Sequence, residues 1–340
     1  MEPINLFSDT QTRPTEGMRR AMYEAEVGDE QRLADPTTNA LQERVAGLLG
    51  HEAGLFLPTG TMCNEIAFRL HVGPGGDEVL LDRSAHPLQF EAGGPAALSG
   101  AVLTPLDGEG GIFTAEQLEA AIRPPGDRYA PRSRVVSVEQ TTNIGGGRVW
   151  PLEGVKGVLS VARAHGLRAH MDGARLMNAA VASGVSAADF ASGFDTAWID
   201  FTKGLGAPIG AVLVGSRELI EEAWRYKQMW GGAMRQSGVV AAAGLYALDH
   251  HVERLAEDHE NARLLAEGLA QVDGVTIDPS TVETNIVVFE VRDAVETGEA
   301  LRAAGVQVTR LDATRIRAVT HLDVDRAGIE RALEVMRSVI

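Results

Sequence analysis

Apolar and polar positions along the chain repeat with two different periods, and the two alternate. Apolar residues recur at helical spacing over about residues 14–26, 37–49, 62–71, 115–122, 152–165 and 175–183. Between these lie short, nearly continuous apolar runs at about 53–57, 78–81, 101–106, 134–138, 167–171, 195–201 and 210–214, which predict strands buried on both faces. Strands alternating with helices predict an α/β large domain, its sheet mostly parallel and covered on both sides. In such sheets ligands bind beyond the carboxyl ends of the strands. After Gly238 the pattern changes. A long helical stretch over 239–269, carrying the acidic patch Glu257-Asp258-His259-Glu260, predicts one or two helices. Short strands at 275–277, 285–291, 307–309 and 315–319 and helices at 294–304 and 326–340 follow. They predict a smaller α+β C-terminal domain, with the chain divided as 1–248 and 249–340.

Composition narrows this picture. No apolar run in the 340 residues approaches a membrane span, so no membrane partner is expected. The start, Met-Glu-Pro-Ile-Asn-Leu-Phe, lacks the basic and apolar regions of a signal peptide. Cys63 is the single cysteine, which excludes an internal disulfide and suits a reducing, cytoplasmic setting. The net charge of −16 argues against nucleic acid as a partner, and it requires any anionic ligand to be held by local donors.

Candidate chemistry concentrates at the predicted strand ends. Lys203 lies in Asp200-Phe201-Thr202-Lys203-Gly204-Leu205-Gly206-Ala207-Pro208, directly after a strand-like run. Asp172 lies in His170-Met171-Asp172-Gly173-Ala174-Arg175, after another. A lysine and an acid so placed fit a pyridoxal 5'-phosphate site, the amine for the cofactor aldehyde and the carboxylate for its pyridine nitrogen. The alternative is two surface residues at strand ends. Thr59-Gly60-Thr61 sits between an apolar strand and a helix, where it serves either as a phosphate cradle or as a simple helix cap. His86, at a further strand end, offers a flat ring to stack on a cofactor, or is an ordinary loop histidine. Arg175 and Arg317 suit a bidentate clamp for an amino-acid carboxylate, or form surface ion pairs. Other features are set aside. Gly145-Gly146-Gly147 lacks dinucleotide-loop spacing, His250 and His251 cannot share a helix face, and His170 with Asp172 has no third metal ligand. Met18, Met22, Met171 and Met177 are expected in the core.

Ordered motifs along nearly the whole chain carry a resemblance. They are Ser8-Asp9-Thr10-Gln11-Thr12-Arg13-Pro14-Thr15, Val27-Gly28-Asp29, Asp35-Pro36-Thr37, Pro58-Thr59-Gly60-Thr61-Met62, Glu91-Ala92-Gly93-Gly94, the segments around Asp172 and Lys203, Gly231-Gly232-Ala233-Met234-Arg235-Gln236 and Thr320-His321-Leu322-Asp323. The chain resembles the low-specificity L-threonine aldolases, in the aromatic amino acid β-eliminating lyase/threonine aldolase family of fold type I PLP enzymes. The resemblance implies a seven-stranded large-domain sheet, pyridoxal 5'-phosphate as cofactor, and cleavage of L-β-hydroxy-α-amino acids to glycine and an aldehyde. It implies Lys203 as the cofactor lysine, Asp172 at the pyridine nitrogen, His86 stacked on the ring, and Thr59, Gly60 and Thr61 at the phosphate. Ser8, Arg175 and Arg317 hold the substrate carboxylate in that reading. Arg235 reaches the phosphate of a neighbouring subunit in a homodimer or homotetramer with its sites at the dimer interface. Three departures bear on substrate. Tyr129 stands where many members have a histidine, and Glu139-Gln140-Thr141-Thr142-Asn143 lacks a second one. Arg32 also stands near the place of a family tyrosine. These residues would surround the β-substituent, so a preference for bulkier, phenylserine-like substrates over threonine is expected. β-Elimination or transaldol transfer on the same cofactor is the alternative chemistry, and a non-catalytic PLP-binding protein a more remote one.

Overall fold

Seven strands form one large sheet in the computed structural model, which describes residues 3–340. In chain order the strands are β1 (Ile4–Asn5), β2 (Ala53–Leu57), β3 (Glu78–Asp82), β4 (Val102–Leu106), β5 (Ser133–Glu139), β6 (Arg168–Asp172), β7 (Thr196–Asp200), β8 (Ala211–Gly215), β9 (Ile286–Glu290), β10 (Val306–Gln307), β11 (Thr309–Arg310) and β12 (Arg315–Val319). The large sheet has the order β2-β8-β7-β6-β5-β3-β4. Only β8 runs against its neighbours, so the carboxyl ends of the other strands lie along one edge. The sheet is mostly parallel, as expected from the sequence.

The strand period of two is visible in the packing. On β7, Ala197 and Ile199 enter the core on one face, shared with helices Pro36–Leu49, Leu152–Ala164 and Leu176–Ser183. Trp198 points to the other face, against Cys63, Ile66 and Ala67 of helix Gly60–His71 and Ile220 and Ala223 of helix Arg217–Met229. Neighbouring β8 divides likewise, Val212 and Val214 to the first side and Ala211 and Leu213 to the second. Met18, Met171 and Met177 are buried and Met22 packs against them, as expected.

A separate core joins Leu265 and Leu269 of helix Leu255–Leu269, Val287 and Phe289 of β9, Ile316 and Ala318 of β12, and Ile329 and Leu333 of helix Arg326–Val339. The antiparallel sheet β11-β12-β9 lies within it. The N-terminal segment joins this core too, because β1 pairs with β10 and Leu6 is buried there.

Some local expectations change. The strand expected over 275–277 is only an isolated bridge between Thr276 and Glu290. Residues 306–310 split into two two-residue strands, β10 and β11, that belong to different sheets. The 239–269 stretch is two helices, Gly238–His250 and Leu255–Leu269. Helix Arg217–Met229 has no counterpart among the sequence expectations. Its apolar residues Leu219, Ile220, Ala223, Trp224 and Tyr226 recur at helical spacing, and Ser216 marks its start by accepting from Leu219 N at 3.3 Å.

Candidate active site

Five segments that follow the parallel strands β2, β3, β5, β6 and β7 converge on two adjoining cavities. One, of about 250 Å³, is lined by Thr59, Gly60, Thr61, His86, Asp172, Trp198 and Lys203. The other, of about 220 Å³, adds Ser8, Glu139, Thr141, Asn143, Arg175 and Arg317. Thr10, His86, Ala174 and Lys203 line both. A wider open cleft of about 640 Å³ runs on from Phe90 and Arg317.

Lys203 leaves β7 in a left-handed backbone conformation, φ 54°, which a residue with a side chain adopts only when its surroundings hold it there. Thr12 donates to its carbonyl at 2.7 Å, and Nζ reaches Asp200 Oδ2 at 2.9 Å. Asp200 is itself fixed by the N–H and hydroxyl of Thr202. The lysine side chain is thus 16% exposed, at the cavity wall, with its charge balanced.

Asp172, at the end of adjacent β6, is held through both oxygens. Oδ1 accepts from Ala174 N at 3.1 Å and Oδ2 from Asn64 Nδ2 at 2.8 Å. Asn64 has all four of its hydrogen-bonding positions filled. Nδ2 also donates to Glu91 Oε1 at 2.8 Å, while Oδ1 accepts from Trp198 Nε1 at 2.7 Å and from His170 Nε2 at 3.0 Å. His170 Nδ1 then meets Thr196 Oγ, which also meets His71 Nε2. His170 is therefore a buried support behind Asp172. Burial, with the neighbouring His71, pulls its pKa down to about 3, so the ring is neutral.

His86 donates its backbone N–H to Glu139 Oε2 at 2.7 Å and places Nδ1 2.8 Å from Glu91 Oε1. Burial opposes a charge on this ring, but the Glu91 bond and the nearby Asp172 and Glu91 charges outweigh it and raise the pKa. Glu139 moves the same way, pushed up to about 7 by burial and by Asp172.

Thr59 caps helix Gly60–His71, Oγ accepting from Met62 N at 3.1 Å, so capping and a phosphate cradle are compatible here. A Cβ on Gly60 would lie 2.3 Å from the Trp198 ring. Glycine is therefore needed for the helix start to pack on Trp198 while lining the cavity.

The two arginines differ. Arg175 spends its fork on Asp9, with Nε and Nη2 at 2.8 and 2.7 Å from the carboxylate. Asp9 also accepts from Asn285, and Arg175 holds its pKa far below normal despite burial. Arg175 lines the cavity, but as one half of a buried ion pair. Arg317 donates through Nη1 to Asn143 at 2.7 Å, and its buried Nε has no partner among the described residues. Burial and Arg175 pull Arg317 down to about 10, which leaves it a cation at neutral pH. An unused buried donor on a guanidinium is the natural seat for a carboxylate. Ser8 Oγ, nearby, accepts from Thr10 N at 3.2 Å.

Two sequence-predicted residues stand apart. Tyr129 is fully exposed at 102% in the loop before β5 and lines neither cavity. Arg235 is 63% exposed, pairs with Asp29 at 3.1 Å, and lines neither. Asn64, Glu91, Glu139, Asp200 and Asp9 escaped the sequence reading as site groups. Asn64 carried a signal, since the residues one turn on from it, Ala67 and Phe68, are apolar and buried. Among the described residues no group of His, Cys, Asp and Glu could hold a metal ion.

Residues 5–293 match the beta-eliminating lyase family. Low-specificity L-threonine aldolase 1 of Arabidopsis thaliana is 39% identical, with 100% of this chain and 97% of that protein covered. The low specificity L-threonine aldolase of Escherichia coli is 41% identical over 95% of each chain. In structure, a threonine aldolase of Leishmania major superposes with a TM-score of 0.84 at 19% identity, covering 99% of both chains. The fold, the Lys203–Asp172 arrangement and these full-length similarities agree: the chain belongs to the beta-eliminating lyase family, alongside its threonine aldolase members.

Proposed function

We propose that this protein is a PLP-dependent carbon–carbon lyase that cleaves L-β-hydroxy-α-amino acids to glycine and an aldehyde. The observation that carries the reading is one cavity system walled by Lys203, Asp172 and the partly unpaired guanidinium of Arg317. Pyridoxal phosphate, when bound, supplies the aldehyde that takes the amine and the ring that accepts the electron pair released at the substrate α-carbon.

Each residue then has a definite task. Lys203 offers its amine, which Asp200 holds at 2.9 Å. Asp172, held by Asn64 and the Ala174 N–H, keeps a negative charge where the ring nitrogen needs a proton. Thr59, Gly60 and Thr61 receive the phosphate at the helix start. His86, anchored at its backbone by Glu139 and at Nδ1 by Glu91, would supply the ring beside the cofactor and, through Nε2, a base for the β-hydroxyl. Arg317, with Ser8 beside it, grips the substrate carboxylate. Arg175 acts through Asp9, which it locks in place, rather than through a free fork.

The reading includes a second copy of the chain. Exposed Tyr23, Leu33, Met229 and Val239 favour a homodimer or homotetramer, and Arg235 would act on the neighbour's site. No helix among the described residues is long and apolar enough to cross a membrane, and the single buried cysteine suits a cytoplasmic setting. Tyr129 is exposed and lines neither cavity, so the expected preference for bulkier β-substituents has no support from it, and threonine stands in the substrate panel on equal terms.

The test is to incubate the protein and pyridoxal phosphate with L-threonine, L-allo-threonine and L-phenylserine, assaying glycine and aldehyde, and separately ammonia and α-keto acid. Equal amounts of glycine and aldehyde support the reading. Ammonia with α-keto acid as the main products would replace it by β-elimination, and no turnover of any substrate would defeat it.

A further inference from the structure

Behind His86, on the side away from the cavity, lie two carboxyl groups that the proposed reaction does not use directly. Glu65, on helix Gly60–His71, is 2% exposed, and neither of its oxygens has a hydrogen-bond partner among the described residues. Glu91 is also buried, and its Oε2 likewise lacks one. Asn64, the residue before Glu65, holds Glu91 at 2.8 Å, and Gly94, which donates its N–H to the Glu91 carbonyl at 2.8 Å, packs on the Glu65 carboxyl, so the two carboxyls face each other. Glu91 Oε1, by contrast, is fully engaged by Asn64 Nδ2 and His86 Nδ1, each at 2.8 Å.

The chain is shaped to make this meeting close. Ala92 adopts a left-handed φ of 52° and Gly93 one of 79°, turning the backbone sharply just after Glu91. Gly94 then packs onto Glu65 so tightly that a Cβ there would lie 2.0 Å from Glu65 Oε1. Two buried carboxylates in contact, with three oxygens lacking any donor, cannot both be ionised. One proton between them satisfies oxygens on both sides and halves the charge.

We propose that Glu65 is a buried carboxylic acid that donates its proton to Glu91 Oε2, and that the shared proton leaves Glu91 one accepting oxygen, Oε1, for His86 Nδ1–H. Glu65 is thus a positioning residue. It acts through Glu91 to hold the imidazole in the tautomer with Nδ1 protonated and Nε2 free toward the cavity. Burial, with Glu91 beside it, pushes Glu65 up to about 9, which agrees with that state. Glu91 is the charge facing Glu65, and Glu91, Asp172 and Lys203 are those facing His86, with Glu139 on its backbone N–H. The functional meaning rests on the reading of His86 as the ring over the cofactor, whereas the protonation itself does not.

The experiment is infrared spectroscopy of the full-length holoprotein at pH 8, grown with 13C-carboxyl glutamate, for wild type and Glu65→Gln. At that pH Glu139, at about 7, is mostly ionised while Glu65, at about 9, keeps its proton. The expected result is an isotope-shifted carboxylic-acid C=O band in the wild type that Glu65→Gln lacks. 15N spectra should show His86 as the Nδ1–H tautomer in both proteins, since Gln also donates to Glu91. Glu65→Leu, with no donor, should fall about tenfold or more below Glu65→Gln in kcat/KM for glycine release. A wild-type spectrum without the band overturns the proposal even if neither variant folds, as does a band that persists in Glu65→Gln. A protein with the band but no lyase activity would retain the shared proton and lose the aldolase reading instead.

Discussion

Arg317 shows how much a single side chain's surroundings add to its identity. In the sequence it is one of many arginines in an acidic chain, as suited to a surface ion pair as to a clamp. In the structure it is buried, bound to Asn143 through Nη1, and left with an unpaired Nε beside the cavity. Arg317→Lys keeps the charge but loses the planar fork, so KM for the best substrate should rise about tenfold or more while kcat changes less. Steady-state kinetics decide this, and an unchanged KM would move the carboxylate seat elsewhere. Lys203 and Asp172 were legible because each is a charged residue at the end of a strand in a distinctive local motif. The role of Arg175 was not, because the partner that occupies its fork, Asp9, lies 166 residues away in sequence. Tyr129 illustrates the same limit, since alignment with a family position does not tell which wall, or which copy of the chain, the residue faces.

Strands and helices bring these residues together, and their central members were readable from period alone. β5 to β8 are short apolar runs, and the helices over them show clean amphipathic spacing. The two-residue strands β1, β10 and β11 were not readable, because two residues of pairing leave almost no periodic signal, whereas helix Arg217–Met229 did carry one in Ile220, Ala223 and Trp224. The start of helix Gly60–His71 is the element most exposed to test. Gly60→Ala puts a methyl group 2.3 Å from the Trp198 ring. Overpacking of this kind destabilises by about 1–3 kcal/mol, and displacing the helix start should also weaken cofactor binding. Thermal unfolding and pyridoxal phosphate titration measure both, and unchanged values would contradict the cradle. A second element-level test concerns the chain His71–Thr196–His170, which links helix, β7 and β6. Burial holds His170 down to about 3 and His71 down to about 4, below the 6.5 of an unfolded histidine. A depressed folded pKa gives stability that is present above 6.5 and is lost as pH falls toward those values. The stability advantage of wild type over His170→Gln should therefore shrink from pH 6.5 down to about 4. A difference that stays constant in urea unfolding over that range would contradict the neutral, buried ring.

For the whole molecule, two cores meet along helix Leu255–Leu269, with Leu255 in the first and Ala262 onward in the second. We propose a division near residue 248, shortly before that helix, with the N-terminal strand β1 crossing back to the smaller unit. The exposed residues Tyr23, Leu33, Met229 and Val239 lead to an expected dimer or tetramer in solution. Light scattering at micromolar concentration checks it, and a monomer would remove the intersubunit role of Arg235. The central claim is that Lys203, at the end of β7, carries the cofactor through which β-hydroxy amino acids are cleaved. Its most direct test compares wild type and Lys203→Ala, each reconstituted with pyridoxal phosphate and given the best β-hydroxy amino acid of the panel. The account predicts a yellow wild type that releases glycine and aldehyde in equal amounts, and a variant that loses the covalent cofactor absorbance and nearly all glycine release. Glycine release by Lys203→Ala at a rate near that of wild type would contradict it.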